Sequence, residues 1–82
     1  MRRIVWTELA AADVRHLDKP TAMRILSALH RFAQSGSGDV QALKGEREEL
    51  RLRIGDYRLL FVYTAAGAVE VRRVLHRKEA YR

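Results

Sequence analysis

Apolar positions recur along this chain with two different periods, and the period changes near residue 40. Ala22, Ile25, Leu26, Leu29, Phe32 and Ala33 fall at i, i+3, i+4 and i+7 spacings, which makes one stripe of an α-helix. Arg24 and Arg31 lie on the opposite side of that helix. From Leu50 to Ile54 the alternation is strict, with Leu50, Leu52 and Ile54 on one face and Arg51 and Arg53 on the other. That is the period of a half-buried strand. Gly55-Asp56 then has the length of a tight hairpin turn, so Tyr57 to Thr64 should return antiparallel. Leu59 to Val62 is apolar on both faces, which places this strand at the centre of a sheet.

The flanking segments complete the picture. Arg2 to Trp6 reads as a short strand through Ile4, Val5 and Trp6. Thr7 suits the N-cap of a helix through Leu17, whose buried stripe would be Ala10, Val14 and Leu17. Asp18-Lys19-Pro20 ends that helix and starts the next, because proline is tolerated in a first turn where its missing N–H costs nothing. Ser35-Gly36-Ser37-Gly38-Asp39 stops the second helix in a loop. Val40 to Leu43 then leads into Lys44-Gly45 and the charged segment Glu46 to Glu49. Ala65-Ala66-Gly67 is a further turn, and Val69 to Leu75 a further strand. The parity of that last strand is untidy. Val69, Val71 and Leu75 share a face with Arg73 while Val74 falls opposite, which requires either a bulge or a functional face. The order is β-α-α-β-β-β. It predicts an α+β domain spanning residues 1–82, with a helical hairpin packed on one face of a small, mostly antiparallel sheet. The other face would carry Arg51, Arg53 and Arg58.

Charge changes the picture from fold to partner. The net charge of +6 is uneven: residues 1–40 carry six Lys/Arg against four Asp/Glu, and residues 41–82 carry ten against six. Such a surface concentrates polyanions, and nucleic acid is the leading partner. An acidic protein segment is a second. An anionic membrane surface is disfavoured, because the cations fall on strand-like sequence and not on one face of an amphipathic helix. No apolar stretch approaches the roughly 20 residues of a membrane span. Glu8 and Asp13 interrupt any apolar run after Met1-Arg2-Arg3, so no signal peptide is expected. The absence of cysteine fits a reducing compartment, and a cytoplasmic protein is expected.

Other chemistries find little support. No two histidines have metal-ligand spacing, and His16 and His30 read as surface or boundary residues. Glu46, Glu48 and Glu49 are interrupted by Arg47 and lack a supporting aspartate, which is poor Mg²⁺ chemistry. There is no Gly-rich phosphate loop and no Ser-His-Asp grouping. No metal and no cofactor are expected.

Three segments carry a resemblance: Leu43-Lys44-Gly45, then RLRIGDYRLLFVY at 51–63, then HRKEAYR at 76–82. With the order of elements and the length, they resemble the RelE/ParE superfamily of bacterial toxins from toxin–antitoxin pairs, more closely its RelE-type mRNA endonuclease branch. The resemblance implies metal-independent cleavage of mRNA, typically on the ribosome. The ribose 2′-hydroxyl attacks the adjacent phosphate and leaves a 2′,3′-cyclic phosphate and a 5′-hydroxyl. It also implies an antitoxin partner within a hetero-oligomeric complex. On this resemblance Arg58, Arg77 and Tyr81 match catalytic positions. Arg51 stands where a catalytic lysine is usual, and Glu49 where a second lysine is usual. Arginine stays protonated at any working pH, so Arg51 can stabilise charge but not serve readily as a base. Glu49 and His76 are the candidate general bases. Lys44, Arg53, Arg73, Lys78 and Arg82 are candidate RNA contacts.

Each residue also has a plainer reading. Arg51 and Arg53 could be a solvated strand face. Arg58 could form a salt bridge to Asp56 or Glu70, Tyr81 could cover a sheet edge, and Lys44 could solvate a loop. The functional alternatives are a ParE-type gyrase poison on the same fold, a non-catalytic basic module that holds RNA, and a degenerate toxin that only binds an antitoxin.

Overall fold

The computed structural model describes residues 1–42 and 49–80. The elements run β1 (Ile4–Trp6), α1 (Glu8–Arg15), α2 (Lys19–Ser35), β2 (Asp39–Ala42), β3 (Leu50–Ile54), β4 (Tyr57–Tyr63), β5 (Val69–His76) and α3 (Arg77–Ala80). The strands form one sheet in the order β1-β5-β4-β3-β2. β1 lies parallel to β5, and the other pairings are antiparallel. The α+β class, the helix pair and the central place of β4 match the sequence pattern. Two elements are additional. β2 is a short edge strand whose Val40 pairs with Leu52, and α3 is a single turn after β5.

Each helix begins and ends where its chemistry dictates. Thr7 Oγ1 accepts from the Ala10 N–H at 3.2 Å and caps α1. Leu17 lies outside α1 but still packs against the core. Asp18 caps α2 by accepting from the Thr21 N–H at 3.2 Å, with Pro20 in the first turn. Gly36 ends α2 in the left-handed region at φ 77°, and its N–H donates to Phe32 O at 2.8 Å. In the β3–β4 hairpin, Gly55 adopts φ 57° between the paired Ile54 and Tyr57. Among the described residues no other type has positive φ, so Asp56 does not, which fits a type II′ turn.

Ile25, Leu29 and Phe32 of α2 pack against Leu52, Leu59, Phe61, Val69, Val71 and Val74 of the sheet. Burial of each large side chain contributes about 1.5–3 kcal/mol. The Phe32 and Phe61 rings are 5.2 Å apart, centroid to centroid. Leu26, expected in the buried stripe, is exposed instead. Among the described residues no helix is long and apolar enough to cross a membrane.

The parity of β5 resolves as a bulge. Leu60 pairs with Arg73 and Phe61 with Val71, so Arg72 is the extra residue. Val69, Val71 and Val74 thus all reach the core, and Leu75 moves to the opposite face. β1 pairs with β5 only as far as Val71. Beyond that point α1 covers the strand's outer edge. Thr7 Oγ1 donates to Val71 O at 2.9 Å, and Asp13 Oδ2 accepts from the Val74 N–H at 2.9 Å. Asp13 also grips Arg73, with Nε–Oδ2 at 2.8 Å and Nη2–Oδ1 at 3.1 Å.

Two expectations follow. Phe61→Ala should lower stability by about 3–5 kcal/mol, read from the urea midpoint. The second concerns pH. Burial pushes the Asp13 carboxyl up, but the Arg73 and Val74 hydrogen bonds and the Arg73 charge outweigh it and hold the group below its ordinary 3.8. A depressed carboxylate contributes stability that is complete above the unfolded value and is lost as pH falls through the folded one. Urea midpoints measured from neutral pH downward should therefore fall below the ordinary aspartate range, and Asp13→Asn should flatten that part of the curve.

Candidate active site

Because Leu52, Ile54, Leu59 and Phe61 face α2, alternation sends Arg51, Arg53, Arg58, Leu60 and Val62 to the other side of the sheet. Arg53 sits directly opposite Arg58, and Arg58 opposite Leu75. Like charges in register repel. Here the two guanidinium groups have different environments. Arg53 is exposed, whereas Arg58 is 6 % exposed and is the one buried charged residue among those described. Arg58 Nη1 donates to Gly55 O and to Tyr57 O, each at 2.9 Å. The carbonyls of the hairpin turn thus take the place of water around a cation that is costly to bury.

Arg77, the first residue of α3, meets the same turn just after β5. Its N–H donates to Asp56 O at 2.7 Å. Its guanidinium Nε is 3.9 Å from Asp56 Oδ1, a loose contact, and 58 % of the side chain is exposed. Arg51 reaches the far end of α3, where Nη2 donates to Ala80 O at 3.2 Å. Three of the sequence-selected arginines are therefore gathered around the Gly55-Asp56 turn and the single turn of α3. A guanidinium presents a planar fork of donors that suits phosphate oxygens.

The remaining candidates are dispersed. Arg73, expected on the RNA-contacting surface, is held at the sheet edge by Asp13, whose half-buried carboxylate offers both oxygens. His76 pairs with Tyr57, and their rings meet edge-on at 5.4 Å. Its parity is that of the core residues Leu59 and Val74, so alternation places it on the opposite side of the sheet from Arg58. His76 Nδ1 accepts from the Lys78 N–H at 3.3 Å, and its ring borders a concavity of about 310 Å³ with Asp13, His16 and Glu79. Lys78 is exposed. Glu49 is half-buried just before β3, two residues from Arg51. It borders a concavity of about 500 Å³ with Thr7, Leu9, Arg72 and Arg73. Lys44, Tyr81 and Arg82 lie outside the described residues.

Arg72 was not singled out by the sequence pattern. It is the bulge residue, partly exposed, and its Nη1 is 3.5 Å from Glu70 Oε2. The disturbed alternation between Val71 and Val74 was the one signal that marked it. Among the described residues no group of three or more His, Asp or Glu side chains is arranged to hold a metal ion.

Comparison with known proteins extends these observations. The chain is similar to RelE in the RelB–RelE antitoxin–toxin complex from Methanococcus jannaschii, with 26 % identity, 94 % of each chain covered and a TM-score of 0.76. It is similar to a chain of the toxin–antitoxin complex RelBE2 from Mycobacterium tuberculosis, with 23 % identity, 93 % of this chain and 98 % of that one covered, and a TM-score of 0.79. The YoeB dimer from Staphylococcus aureus shares the fold at 18 % identity, with 88 % and 92 % coverage and a TM-score of 0.70. No curated protein matches the sequence significantly. The model of the family described as the ParE toxin of the type II toxin–antitoxin system parDE matches residues 4–81. The likeness to RelE and YoeB structures and the match to the ParE model converge on one superfamily, RelE/ParE. With the match extending over nearly the whole chain, this protein belongs to the ParE toxin family of type II toxin–antitoxin systems.

Proposed function

We propose that this chain is a single-domain toxin that arrests translation by cutting mRNA, its arginine-bearing sheet face holding the phosphodiester. The observation that carries this reading is the convergence of Arg51, Arg58 and Arg77 on the hairpin turn and α3. In the proposed reaction the 2′-oxygen forms a bond to phosphorus while the bond to the 5′-oxygen breaks. A proton leaves the 2′-hydroxyl and another reaches the departing 5′-oxygen. Negative charge accumulates on the phosphoryl oxygens between those events, and fixed guanidinium groups stabilise it without reorganising. Arg58, locked by turn carbonyls, is the rigid member; Arg77 is the accessible one.

Glu49, two residues before Arg51 along the chain, serves as the proposed base. Four residue steps separate it from Arg53, which is opposite Arg58, a span of about 13 Å at strand spacing. Glu49 is therefore assigned to the Arg51 end of the site. His76 is assigned no role in the chemistry. Tyr81 would stack on a base or assist proton transfer, and Lys44, Arg53, Lys78 and Arg82 would extend the RNA contact.

The partner follows from a second surface. Trp6, Ala11, Val14 and Leu26 border an apolar concavity of about 250 Å³ between β1 and the helices, with Arg15 at its rim. Met23, one helical turn from Leu26, is exposed. An antitoxin segment with apolar anchors and acidic flanks fits there, ordering as it binds. The ParE family match favours a second reading, poisoning of DNA gyrase on the same fold.

Inducing the chain alone and mapping RNA ends separates the two. The nuclease produces 2′,3′-cyclic phosphate ends; the gyrase poison produces DNA damage without them. Arg77→Ala should lower cleavage by about 100-fold, in the range of a lost oxyanion donor, and leave stability nearly unchanged. Arg58→Ala should lower cleavage and also stability, by about 1–3 kcal/mol, since it strips the part-buried Gly55 and Tyr57 carbonyls of a donor. Equal toxicity of the Arg58→Ala, Arg77→Ala double variant and the parent would overturn the site. Arg53→Ala should reduce the salt slope of RNA binding by about 0.7. Leu26→Glu should weaken antitoxin binding while sparing cleavage.

A further inference from the structure

β5 changes its side-chain phase once, at Arg72, and the placement of every later residue depends on that change. Continued without a bulge, the register set by Val69 and Val71 would turn Arg73 to the core and Val74 away from it. With the bulge, Val74 is buried, Leu75 pairs with Arg58, and the Arg77 N–H reaches Asp56 O at 2.7 Å. Ala80 then lies where its carbonyl accepts from Arg51.

What holds the bulge comes from α1. Among the described residues no strand lies beside the outer edge of β5 beyond Val71, so its backbone groups need partners of another kind. Thr7 supplies the donors. Its N–H donates to Val71 O at 3.2 Å, and its single hydroxyl proton is shared between Val71 O, 2.9 Å from Oγ1, and Arg72 O at 3.2 Å. Asp13 supplies the acceptor for Val74 N–H and clamps the Arg73 guanidinium with both oxygens. A surface ion pair would need only the guanidinium. The third bond, to a backbone N–H next to the bulge, is what ties the carboxylate to the register of the strand.

We infer that Asp13 is a positioning residue for the arginine site: from α1 it fixes the Arg72 bulge and so sets the phase at which Leu75, Arg77 and α3 meet Arg58 and Arg51. This rests on the reading of Arg51, Arg58 and Arg77 as the RNA-cleaving site. Asp13 touches no substrate in this scheme. It acts through the backbone of Val74 and the side chain of Arg73.

The test uses the full chain as parent, Asp13→Ala, Asp13→Asn and Arg73→Met. Two quantities are read: amide exchange and backbone shifts at Val74, Arg77 and Ala80, and the kinetics of RNA cleavage. In Asp13→Ala the Val74 amide should lose protection, shift changes should reach Arg77 and Ala80, and kcat should fall by about 100-fold with KM little changed. Asparagine keeps an oxygen for the Val74 N–H, so Asp13→Asn should restore most of the rate. Arg73→Met, which leaves the carboxylate on Val74, should fall between Asp13→Asn and Asp13→Ala. A folded Asp13→Ala with parental kcat, or with unaltered Arg77 and Ala80 resonances, would overturn the inference. Should the alanine variant not fold, unaltered Arg77 and Ala80 resonances in both remaining variants would overturn it equally. A parent chain that cuts no RNA would defeat the proposed activity instead, and the spectral readout alone would then decide whether Asp13 sets the phase of α3.

Discussion

Burial of the α2 stripe against β3, β4 and β5 decides which side of the sheet faces the helices, and with it which side carries the arginines. The side chains of a strand alternate, so the two choices are one choice. Leu52 and Leu59 cannot reach Phe32 and Leu29 unless Arg51 and Arg58 point away. The energy that fixes this is large compared with any single contact on the polar face, because a one-residue slip would bury cations and expose the core. The arginine face is thus held by apolar packing on the reverse of the sheet, and its own hydrogen bonds only refine it.

The refinement sorts the cations by environment. Arg58 is buried and committed to turn carbonyls, Arg51 is half-buried against the end of α3, and Arg77 is mostly in solvent. Arg73, which pairs with Leu60, is held by Asp13 at the sheet edge. A run of positive charge in the sequence therefore divides into structural, intermediate and accessible members. The RelE and YoeB likenesses establish the scaffold on which this sorting occurs, while the ParE family match leaves its chemical use as the question that RNA ends answer.

Much of the scaffold was legible in the sequence, and the exceptions have physical causes. α2 was plain because its long stripe repeats over several turns, and the β3–β4 hairpin because alternation is interrupted by a glycine that the turn requires. β2 was not, since one inward valine in a four-residue edge strand makes no pattern. The disturbed alternation in β5 announced that something happens near Arg72, but alternation alone cannot say whether a bulge or a charged face explains it. For the same reason the side on which His76 lies could not be read off: its parity is counted through the bulge. The partner of Arg73 was hidden for another reason, since Asp13 is 60 residues away along the chain.

That separation has a consequence of its own. β1 pairs with β5, Arg2 donates to Gly67 O across 65 residues, and Asp13 holds Val74 across 61. These are closures of nearly the whole chain, the kind of contact that forms late because the loop entropy must be overcome before it is rewarded. The strand that leads into Arg77 follows β3 and β4 along the chain. A ribosome-bound fragment lacking β5 has the helices and the arginines of β3 and β4, but not the edge on which α1 docks. The arginine site is therefore assembled only when β5 has joined the sheet and met α1.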